Sequence, residues 1–591
     1  MAKADLHIHS SHSEQLSEQF LRKLGAAESY TDPEYIYATA RSRGMSFVTI
    51  TDHNRISGVL ELKKKHRADV FTGIEATTYF PEDGYRVHAL IYGLNEADFE
   101  EIQKIRANIY DLRDYIKERG LAYSIAHATY AGNDTLSIDK LEKMLLLFDV
   151  FEGINGGCST ICNRTWMDIM AGITPDKIGD LYRRHRIEPF SSDPWIKGMT
   201  GGSDDHSGLF IGRTYTVADA LSVDEYVESL KNRKMAAEGR HNDFQSLAFA
   251  LYKIGYDFSK HKSSKLSKST VSRISDLIFE NRPLRLRDKL VLRSLKYQSR
   301  RKTDRAKRMI IDLINDFRKN DKLPVEEKLT MIYDTLAKMS DEFIRVFLKS
   351  LEHDLQKGNI IGLLKNISSS FSGILLAAPF FATFKHMYKG RDLIEELNRR
   401  MDGSTSLRDR KVLWFTDTVN DLTGVSFTSQ FQCKSLKIAT SLKDSELNSA
   451  LSPHIMNFPL IHELRFSGSG DSFIRVPSLL QSLKEIYAYD PDEIYISTHG
   501  PMGLFGLLAA RLLNVKSIGV YHTDDYQLPI KEVLQDKTGA SMYESYVRWF
   551  YSHIDEIRLP DTTHIDTFEN MGLDRRKMSV FTGDWKSSIS A

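Results

Sequence analysis

Cysteine is scarce in this chain: the 591 residues include three, at Cys158, Cys162 and Cys433. Three cysteines are too few for a disulfide framework or for a zinc site built from thiolates, although Cys158 and Cys162 have the spacing of a possible pair. We therefore expect free thiols and a reducing, cytoplasmic environment.

Long apolar runs are also absent. No stretch of 18 or more apolar residues occurs, which excludes an ordinary membrane-spanning helix. The first residues, MAKADLHIHS, lack the basic stretch and the apolar core of a secretion signal. Hydrophobic residues make up 41% of the chain and charged residues 27%, a mixture typical of soluble globular proteins and too apolar for a disordered one. At about 150 residues per domain, the length predicts three or four domains.

The chain has almost no net charge, with a formal value of +1, which by itself argues against a charged partner. The charge is unevenly distributed, however. Residues 260–308 contain seventeen Lys and Arg against four Asp and Glu, so this segment carries +13 and the rest of the chain −12. The near neutrality is therefore a cancellation between a basic segment and an acidic remainder.

The sequence predicts an α/β protein with three regions. Residues 1–242 alternate short apolar runs with helix-like stretches, which indicates a parallel sheet or barrel whose strand ends converge on one site. Residues 243–408 have the spacing of amphipathic helices, and residues 409–591 return to the α/β alternation. The predicted strands are Phe47–Thr51, Val70–Gly73, Val87–Ile91, Ala122–Ile125, Val150–Ile154, Val412–Phe415, Glu463–Phe466, Glu493–Ser497 and Ser517–Tyr521.

Histidines and carboxylates collect near the ends of the N-terminal apolar runs. His7 and His9 alternate with Leu6 and Ile8, so on a strand both imidazoles project from the same face. Imidazole and carboxylate donors without thiolates suit Zn, Mn or Fe, and their number exceeds what one four-coordinate ion needs. The pattern predicts a site for several metal ions. The other candidate residues are Asp52, His53, Glu75, His88, His127, Asp204 and His206.

Eight pieces between about residues 3 and 240 follow one another in a fixed order: DLHIHSSHSE, ITDHN, GIEA, VHALIYG, IAH, FEGINGG, GGSDDHS and IGRTYT. In these pieces the region resembles the polymerase and histidinol phosphatase (PHP) superfamily of metal-dependent phosphoesterases. The resemblance implies a distorted (β/α)7 barrel with two or three divalent metal ions at the C-terminal strand ends. Members often have Asp where this chain has Glu14. The implied metal ligands are His7, His9, Glu14, His53, Glu75, His88, His127, Asp204 and His206.

The same resemblance implies phosphoester hydrolysis. Two ions bridged by Glu75 would lower the pKa of a shared water and supply a nucleophile near neutral pH. A third ion near Glu14 would help to neutralise the phosphoryl oxygens. Asp52 is predicted to orient neighbouring ligands. The candidate phosphate-binding residues are Arg55, Arg164 and Arg213, because a guanidinium can bind phosphate through two hydrogen bonds. For each arginine taken singly, an ordinary surface or structural role is favoured.

Residues 410–585 resemble the N-terminal domain of GT-B glycosyltransferases of the group 1 type, in VLWFTDTVNDLTGVS, IYISTHGPMGLFGLLAARLL and GVYHTDDY. The resemblance implies a Rossmann-like domain in which Gly424 lies near donor phosphates. It also implies a helix, opened by HGPMGLFG, whose N-terminus favours an anion. The family continues into a nucleotide-binding domain beyond the point where this chain ends, so glycosyl transfer would need a partner that supplies this domain, unless the sequence is a truncated one. Glycines at strand-to-helix turns are common in any doubly wound domain, and a structural role stays open.

The basic segment 260–308 and the apolar segment 371–384 allow two interpretations. One is attachment to the inner face of an anionic membrane, with the cations near lipid and the apolar helix in the interface. The other is a solvated helical face followed by a buried core helix. Nucleic acid is a weaker third choice because no readout motif or aromatic platform accompanies the cations.

Three functions are therefore open at this stage. The leading hypothesis is metal-dependent hydrolysis of a small phosphomonoester, such as a nucleotide or sugar phosphate. The alternative is a glycosyltransferase subunit, peripheral at a membrane, whose PHP-like region has a processing or regulatory role. The third is a catalytically inactive binding module.

Overall fold

In a computed structural model, the chain folds as a mixed α/β protein that divides into two units. The first unit comprises Met1–Lys289 and His386–Thr405, and the second comprises Leu290–Lys385 and Ser406–Ala591. The region 243–408, predicted as a separate helical part, thus contributes to both units. The structure describes residues 1–13, 27–130, 136–262, 325–356, 377–402, 411–417, 435–443, 454–465, 473–521 and 537–580, with isolated positions between 308 and 323.

The first unit alternates strands and helices along most of its length. Its elements, in chain order, are β1 (Ala2–Ala4), α1 (Pro33–Ser42), α2 (Ser57–Lys65), β2 (Gly73–Tyr79), β3 (Arg86–Tyr92), α3 (Glu96–Ile105), α4 (Ile109–Arg119), β4 (Ala122–Ile125), α5 (Ile138–Leu147), β5 (Val150–Asn155), α6 (Thr160–Ala171), α7 (Pro175–His185), β6 (Gly198–Gly202), β7 (Thr214–Ala218), α8 (Val223–Lys231), β8 (Met235–Gly239) and α9 (Phe244–Lys262), to which α11 (Arg391–Asp402) returns.

Strands β2 to β6 form one sheet in the order β2-β3-β4-β5-β6, and β1, β7 and β8 form another. The pairs β4–β5 and β5–β6 are parallel, but β3 runs antiparallel to β2 and to β4. The expected all-parallel arrangement is therefore wrong at β3. The short connection 80–85 between β2 and β3 explains this, because a parallel crossover needs about a dozen residues.

Isolated parallel bridges link further extended segments: Ile8 pairs with Asp205, Val48 with Val70, and His53 with Glu75 of β2. The predicted strand at 47–51 is one such segment, and the predicted strand at 70–73 leads into β2. Because the strands are assigned to separate sheets, the seven-stranded barrel stays a prediction.

Helix α11 belongs to the core of the first unit although it lies far along the chain. Its side chains Ile394, Leu397 and Met401 are buried in the same hydrophobic cluster as Trp166 of α6 and Leu145 of α5. The 3.6-residue spacing of the three α11 residues places them on one helical face, which explains the packing.

The second unit is built on a seven-stranded parallel sheet in the order β11-β10-β9-β14-β15-β16-β17, the strand order of a doubly wound α/β fold. Residues 463–465 of the predicted strand at 463–466 lie instead in a separate antiparallel pair, β12–β13, and residue 466 lies outside the described residues. The elements are α10 (Val325–Gln356), β9 (Lys411–Phe415), β10 (Ser435–Thr440), β11 (Ile455–Asn457), β12 (Leu460–Arg465), β13 (Phe473–Pro477), α12 (Leu479–Tyr489), β14 (Glu493–Ile496), α13 (Pro501–Leu513), β15 (Lys516–Val520), α14 (Lys537–Ser552), β16 (Glu556–Leu559), α15 (Thr562–Asn570) and β17 (Met578–Val580).

The described half of the apolar segment 371–384 is helical. Phe380 packs edge-on against Tyr333 of α10, and Phe384 packs against Tyr487 of α12, and both phenylalanines are buried. Most of the basic segment 260–308 lies outside the described residues, so membrane attachment stays a prediction. Within the described part of the chain, no helix is both long and apolar enough to cross a bilayer.

The placement of α11 can be tested with Leu397→Ala. Because Leu397 is fully buried in the cluster shared with α6, the truncation should destabilise the first unit by about 2–5 kcal/mol. Hydrogen–deuterium exchange followed by mass spectrometry should then show faster exchange in α6. Leu221→Ala, at a side chain that is 94% exposed, is the control and should leave exchange unchanged. Unchanged exchange in α6 after Leu397→Ala would show that α11 does not belong to this core.

Candidate metal centre

The segment that follows β1 carries the first two imidazoles of the centre. Leu6 and Ile8 are buried in hydrophobic clusters, which directs the alternate side chains of His7 and His9 to the opposite face. Their ring centroids lie 5.1 Å apart. Nε2 of each ring lies 3.2 Å from Oε2 of Glu75.

Glu75 on β2 is the centre of the arrangement, with no measurable exposure to solvent. Its Oε2 also lies 3.0 Å from Nδ1 of His53, whose backbone forms a bridge with Glu75. Its Oε1 faces two further imidazoles, at 2.6 Å from Nδ1 of His88 on β3 and at 3.3 Å from Nε2 of His127 directly after β4. Five histidines therefore surround one buried carboxylate.

Asp204 lies on another side of the same cluster, directly after β6. Its Oδ1 is 3.4 Å from Nε2 of His7, 3.5 Å from Nε2 of His9 and 3.6 Å from Nδ1 of His206. Asp204 thus adds a second carboxylate to the imidazoles around Glu75.

Glu28 completes the group of candidate ligands and was not predicted from the sequence. Its Oε1 lies 3.3 Å from Nε2 of His53 and 3.4 Å from Nε2 of His206, and its Oε2 accepts a hydrogen bond from Ser13. Glu14, the carboxylate predicted for this place, lies outside the described residues. The one sequence feature that could have indicated Glu28 is its place in ESYTDPE, shortly before α1, which begins at Pro33.

The structure therefore brings eight of the nine predicted ligands together, with Glu28 beside them. Ligand atoms within 4.8 Å of one another form four overlapping groups: His9, Glu28, His53 and His206; His7, His127 and Asp204; His7, His9 and Glu75; and His53, Glu75 and His88.

The donor atoms fit divalent metal ions. Five of them are buried without a hydrogen-bond partner, although they face one another at short distances, and such atoms are unfavourable unless something satisfies them. Cations between them would satisfy all five, and nitrogen and oxygen donors of this kind bind Zn, Mn and Fe. The atoms are His7 Nε2, His9 Nε2, His53 Nδ1, Glu75 Oε2 and His88 Nδ1.

The electrostatics of the cluster agree with this fit. Burial alone would raise the pKa of Glu75, but the positive charges of neighbouring histidines, His53 foremost, outweigh it and hold the pKa well below its usual range. Burial alone would lower the pKa of His7, yet the negative charge of Asp204 contributes to raising it well above its usual value. His88 is the exception, because burial lowers its pKa to about 4. The carboxylates thus stay ionised and available to cations.

A second layer of polar residues holds the ligands in place. Oε1 of Glu152 on β5 lies 2.9 Å from Nδ1 of His7, and with the proton on that nitrogen Nε2 is left facing Glu75. Oε2 of Glu152 accepts from the backbone N–H of His127 and from Asn155, each at 2.8 Å. Glu152 lies in FEGINGG, one of the eight pieces, but no role for it was predicted from the sequence.

Asn155 also connects this layer to the exposed side of the centre, because its Nδ2 lies 3.2 Å from Oδ2 of Asp204. The backbones of Asp204 and His127 have φ values of 51° and 29°, which non-glycine residues rarely adopt. At Gly202, an added Cβ would lie 2.4 Å from Cβ of His7, so β6 can approach only as glycine. Such local constraint is typical of functional sites.

Asp52 lies beside the segment that carries His7 and His9. Its two carboxylate oxygens accept hydrogen bonds from the backbone N–H and the hydroxyl of Ser10, at 2.6 and 2.7 Å. Burial outweighs these bonds and raises the pKa of Asp52. The residue therefore fixes the backbone immediately after His9, and its role in orienting ligands stays a prediction.

The three candidate phosphate-binding arginines differ in their exposure to solvent. Arg55 and Arg164 are exposed. Arg213 is half-buried, donates from Nη1 to the hydroxyl of Ser246 at 3.0 Å and lies over the ring of Phe210. Phosphate binding by these arginines stays a prediction.

Cys158, just before α6, and Cys162, in its first turn, are buried and are not joined in a disulfide, as the sequence predicts for these two thiols. Burial raises the pKa of Cys158 well above its usual value, so this thiol stays protonated. Cys433 lies outside the described residues.

The second unit shows what its glycine-rich turn does. The N-terminus of α13 faces the chain's own carboxylate, because the N–H of Met502 donates to Oδ1 of Asp417 at 3.1 Å, and the hydroxyl of Thr498 donates to Oδ2. A Cβ at Gly503 would overlap the carbonyl oxygen of Thr498, so this glycine serves helix–strand packing. Gly424 lies outside the described residues, and the glycosyltransferase interpretation stays a prediction from sequence.

Comparisons with known proteins give partial matches. No protein-family model matches the chain. The uncharacterized protein MJ1587 of Methanocaldococcus jannaschii is 38% identical over 79 residues, which are 13% of this chain and 44% of that protein. A solved structure of a candidate metal-dependent phosphoesterase from Bifidobacterium adolescentis is 16% identical, and the match covers 39% of this chain and 96% of that one with a TM-score of 0.23.

The positioning role of Glu152 generates a prediction. Glu152→Gln removes the charge that holds Nδ1 of His7 but keeps the side-chain size, and loss of such partners typically weakens metal affinity about 10- to 100-fold. Titration of the metal-free variant with Zn or Mn should show this loss.

The matched control is Glu142→Gln. Glu142 is also a buried carboxylate, paired with Nε2 of His185 at 2.7 Å, but it lies in another ion pair. We expect metal affinity equal to that of the unsubstituted protein. Equal affinity in both variants would contradict the role assigned to Glu152.

Proposed function

We propose that the first unit uses two or three divalent metal ions to hydrolyse a small phosphomonoester. The observation that carries this proposal is the buried convergence of five imidazoles on Glu75, with ligand atoms that lack hydrogen-bond partners. An arrangement that only stabilised the fold would pair these atoms with each other or with neighbouring polar groups.

The ions would be held by the four overlapping ligand groups, two of which share Glu75, while the other two contain Glu28 and Asp204. The two oxygens of Glu75 face different histidines. When bound, such ions lower the pKa of coordinated water and neutralise charge on phosphoryl oxygens. Zn, Mn and Fe all suit these donors.

Charge supports a phosphate substrate. Three carboxylates, Glu28, Glu75 and Asp204, face the imidazoles, and neighbouring histidines hold the pKa of each of them well below its usual range despite burial. Two or three divalent ions carry more positive charge than these three carboxylates carry negative charge, so the loaded centre would be cationic. A phosphate dianion complements such a site.

The exposure of the ligands indicates where the substrate enters. The side chains of Asp204 and His127 are each 16% exposed and that of His206 is 22% exposed, whereas those of His7 and His9 are fully buried. The substrate phosphate would therefore approach beside Asp204, His127 and His206. The buried residues behind them exclude bulk water and strengthen the interaction with phosphate.

The proposal predicts the behaviour of Glu75→Gln and Asp204→Asn. Each removes a charge that faces several imidazoles, so hydrolysis of nucleoside monophosphates or sugar phosphates should fall about 100-fold or more. The measurement is phosphate release from a substrate panel, with Zn, Mn or Fe supplied and the metal content of each preparation determined.

Glu238→Gln, an exposed carboxylate on β8, is the control and should keep full activity. Turnover unaffected by Glu75→Gln would exclude this centre as the site of hydrolysis. Absence of both bound metal and phosphate release in the unsubstituted protein would favour the inactive binding module.

A further inference from the structure

We propose that Tyr130 and His386 form a ring-lined wall at the open side of the metal centre, and that this wall favours phosphoesters whose leaving group carries a flat aromatic ring. This inference rests on the proposed function and adds a class of leaving group to it. His386 lies far outside the region whose sequence motifs point to the centre.

Tyr130 is held directly beside one of the exposed ligands. Its backbone N–H donates to the carbonyl oxygen of His127 at 2.8 Å, which closes a tight turn after β4. Its ring lies edge-on to the ring of His127, with 5.6 Å between the centroids. Because the side chain of His127 is partly exposed, Tyr130 stands at the side where the substrate would enter.

His386 extends this surface from a distant part of the chain. Its ring centroid lies 5.4 Å from that of Tyr130, with 49° between the planes. The segment that carries it is fixed to the first unit, because α11, which begins five residues later, packs Ile394 and Leu397 into the core. The position of His386 is therefore supported by tertiary packing.

Both rings are only half-buried, so each keeps a surface that another group can contact. Aromatic rings prefer offset-stacked or edge-on contacts with other rings, and such contacts add to the free energy of apolar burial. A flat leaving group attached to a phosphate near His127 would meet these two rings. A small polar leaving group would gain nothing from them.

The experiment compares two substrates in the full-length, metal-loaded protein: 1-naphthyl phosphate, which has a flat aromatic leaving group, and glycerol 2-phosphate, which has none. In Tyr130→Leu and His386→Ala we expect kcat/KM for 1-naphthyl phosphate to fall about 5- to 10-fold, mainly through KM. For glycerol 2-phosphate, kcat/KM should change less than about twofold. Metal content should equal that of the unsubstituted protein.

His564→Ala is the matched control. His564 makes a similar ring contact with Tyr521, at 5.7 Å and 50°, but in the second unit. Its removal should leave both substrates unaffected. Because Tyr130 touches a metal ligand, His386→Ala decides the question if Tyr130→Leu loses metal.

Equal losses of kcat/KM on both substrates would contradict the proposed role of Tyr130 and His386 in recognising the leaving group. So would an unchanged kcat/KM for 1-naphthyl phosphate in His386→Ala. Neither result would contradict phosphoester hydrolysis itself. Failure of the unsubstituted protein to hydrolyse either substrate would count against the proposed function. It would also contradict the selectivity for aromatic leaving groups, which depends on that function.

Discussion

The charge of Glu75 is the constraint on which the rest of the first unit depends. The carboxylate is fully buried, and five imidazoles lie within 3.3 Å of its two oxygens. Burying an ionised carboxylate is very unfavourable unless positive charge accompanies it. Protonated histidines can supply that positive charge. Four of their buried ring nitrogens nevertheless make no hydrogen bond with acceptable geometry. Divalent cations would supply the charge and satisfy the nitrogens together.

The fold meets this constraint with elements that are rigid and close together. The antiparallel pair β2–β3 brings His88 next to Glu75, and the register places Thr77 opposite His88 and Leu90 opposite Glu75. Glu152 then fixes His7 from behind, while left-handed backbone at His127 and Asp204 directs these residues into the cluster.

Much of the centre could be predicted from sequence because its signals are local. The alternation of His7 and His9 with apolar residues follows from the two-residue period of a strand. His127 follows β4, as its apolar run indicates, whereas Glu75 lies within β2 and not after a strand. Glu28 could not be found this way, since its contact with His53 depends on a loop rather than on a periodic element. The antiparallel β3 was missed because alternating strand and helix patterns do not report strand direction. His386 carries no local signal at all, because its place beside Tyr130 depends on the packing of α11.

The second unit shows the complementary lesson. Its parallel sheet was expected from apolar runs separated by helices, yet the function suggested by its glycines does not follow from them. Gly503 allows the close approach of α13 to the carbonyl of Thr498, and the helix N-terminus is already faced by Asp417. Glycine-rich turns of this kind report packing as readily as ligand binding.

The most direct test of the central claim is anomalous X-ray diffraction from crystals of the protein grown with Zn or Mn. The account predicts at least two anomalous peaks in the first unit, one of them about 2.0–2.3 Å from Oε2 of Glu75 and from Nε2 of His7. No peak within bonding distance of Glu75, with the histidines instead hydrogen-bonded directly to its carboxylate, would contradict it.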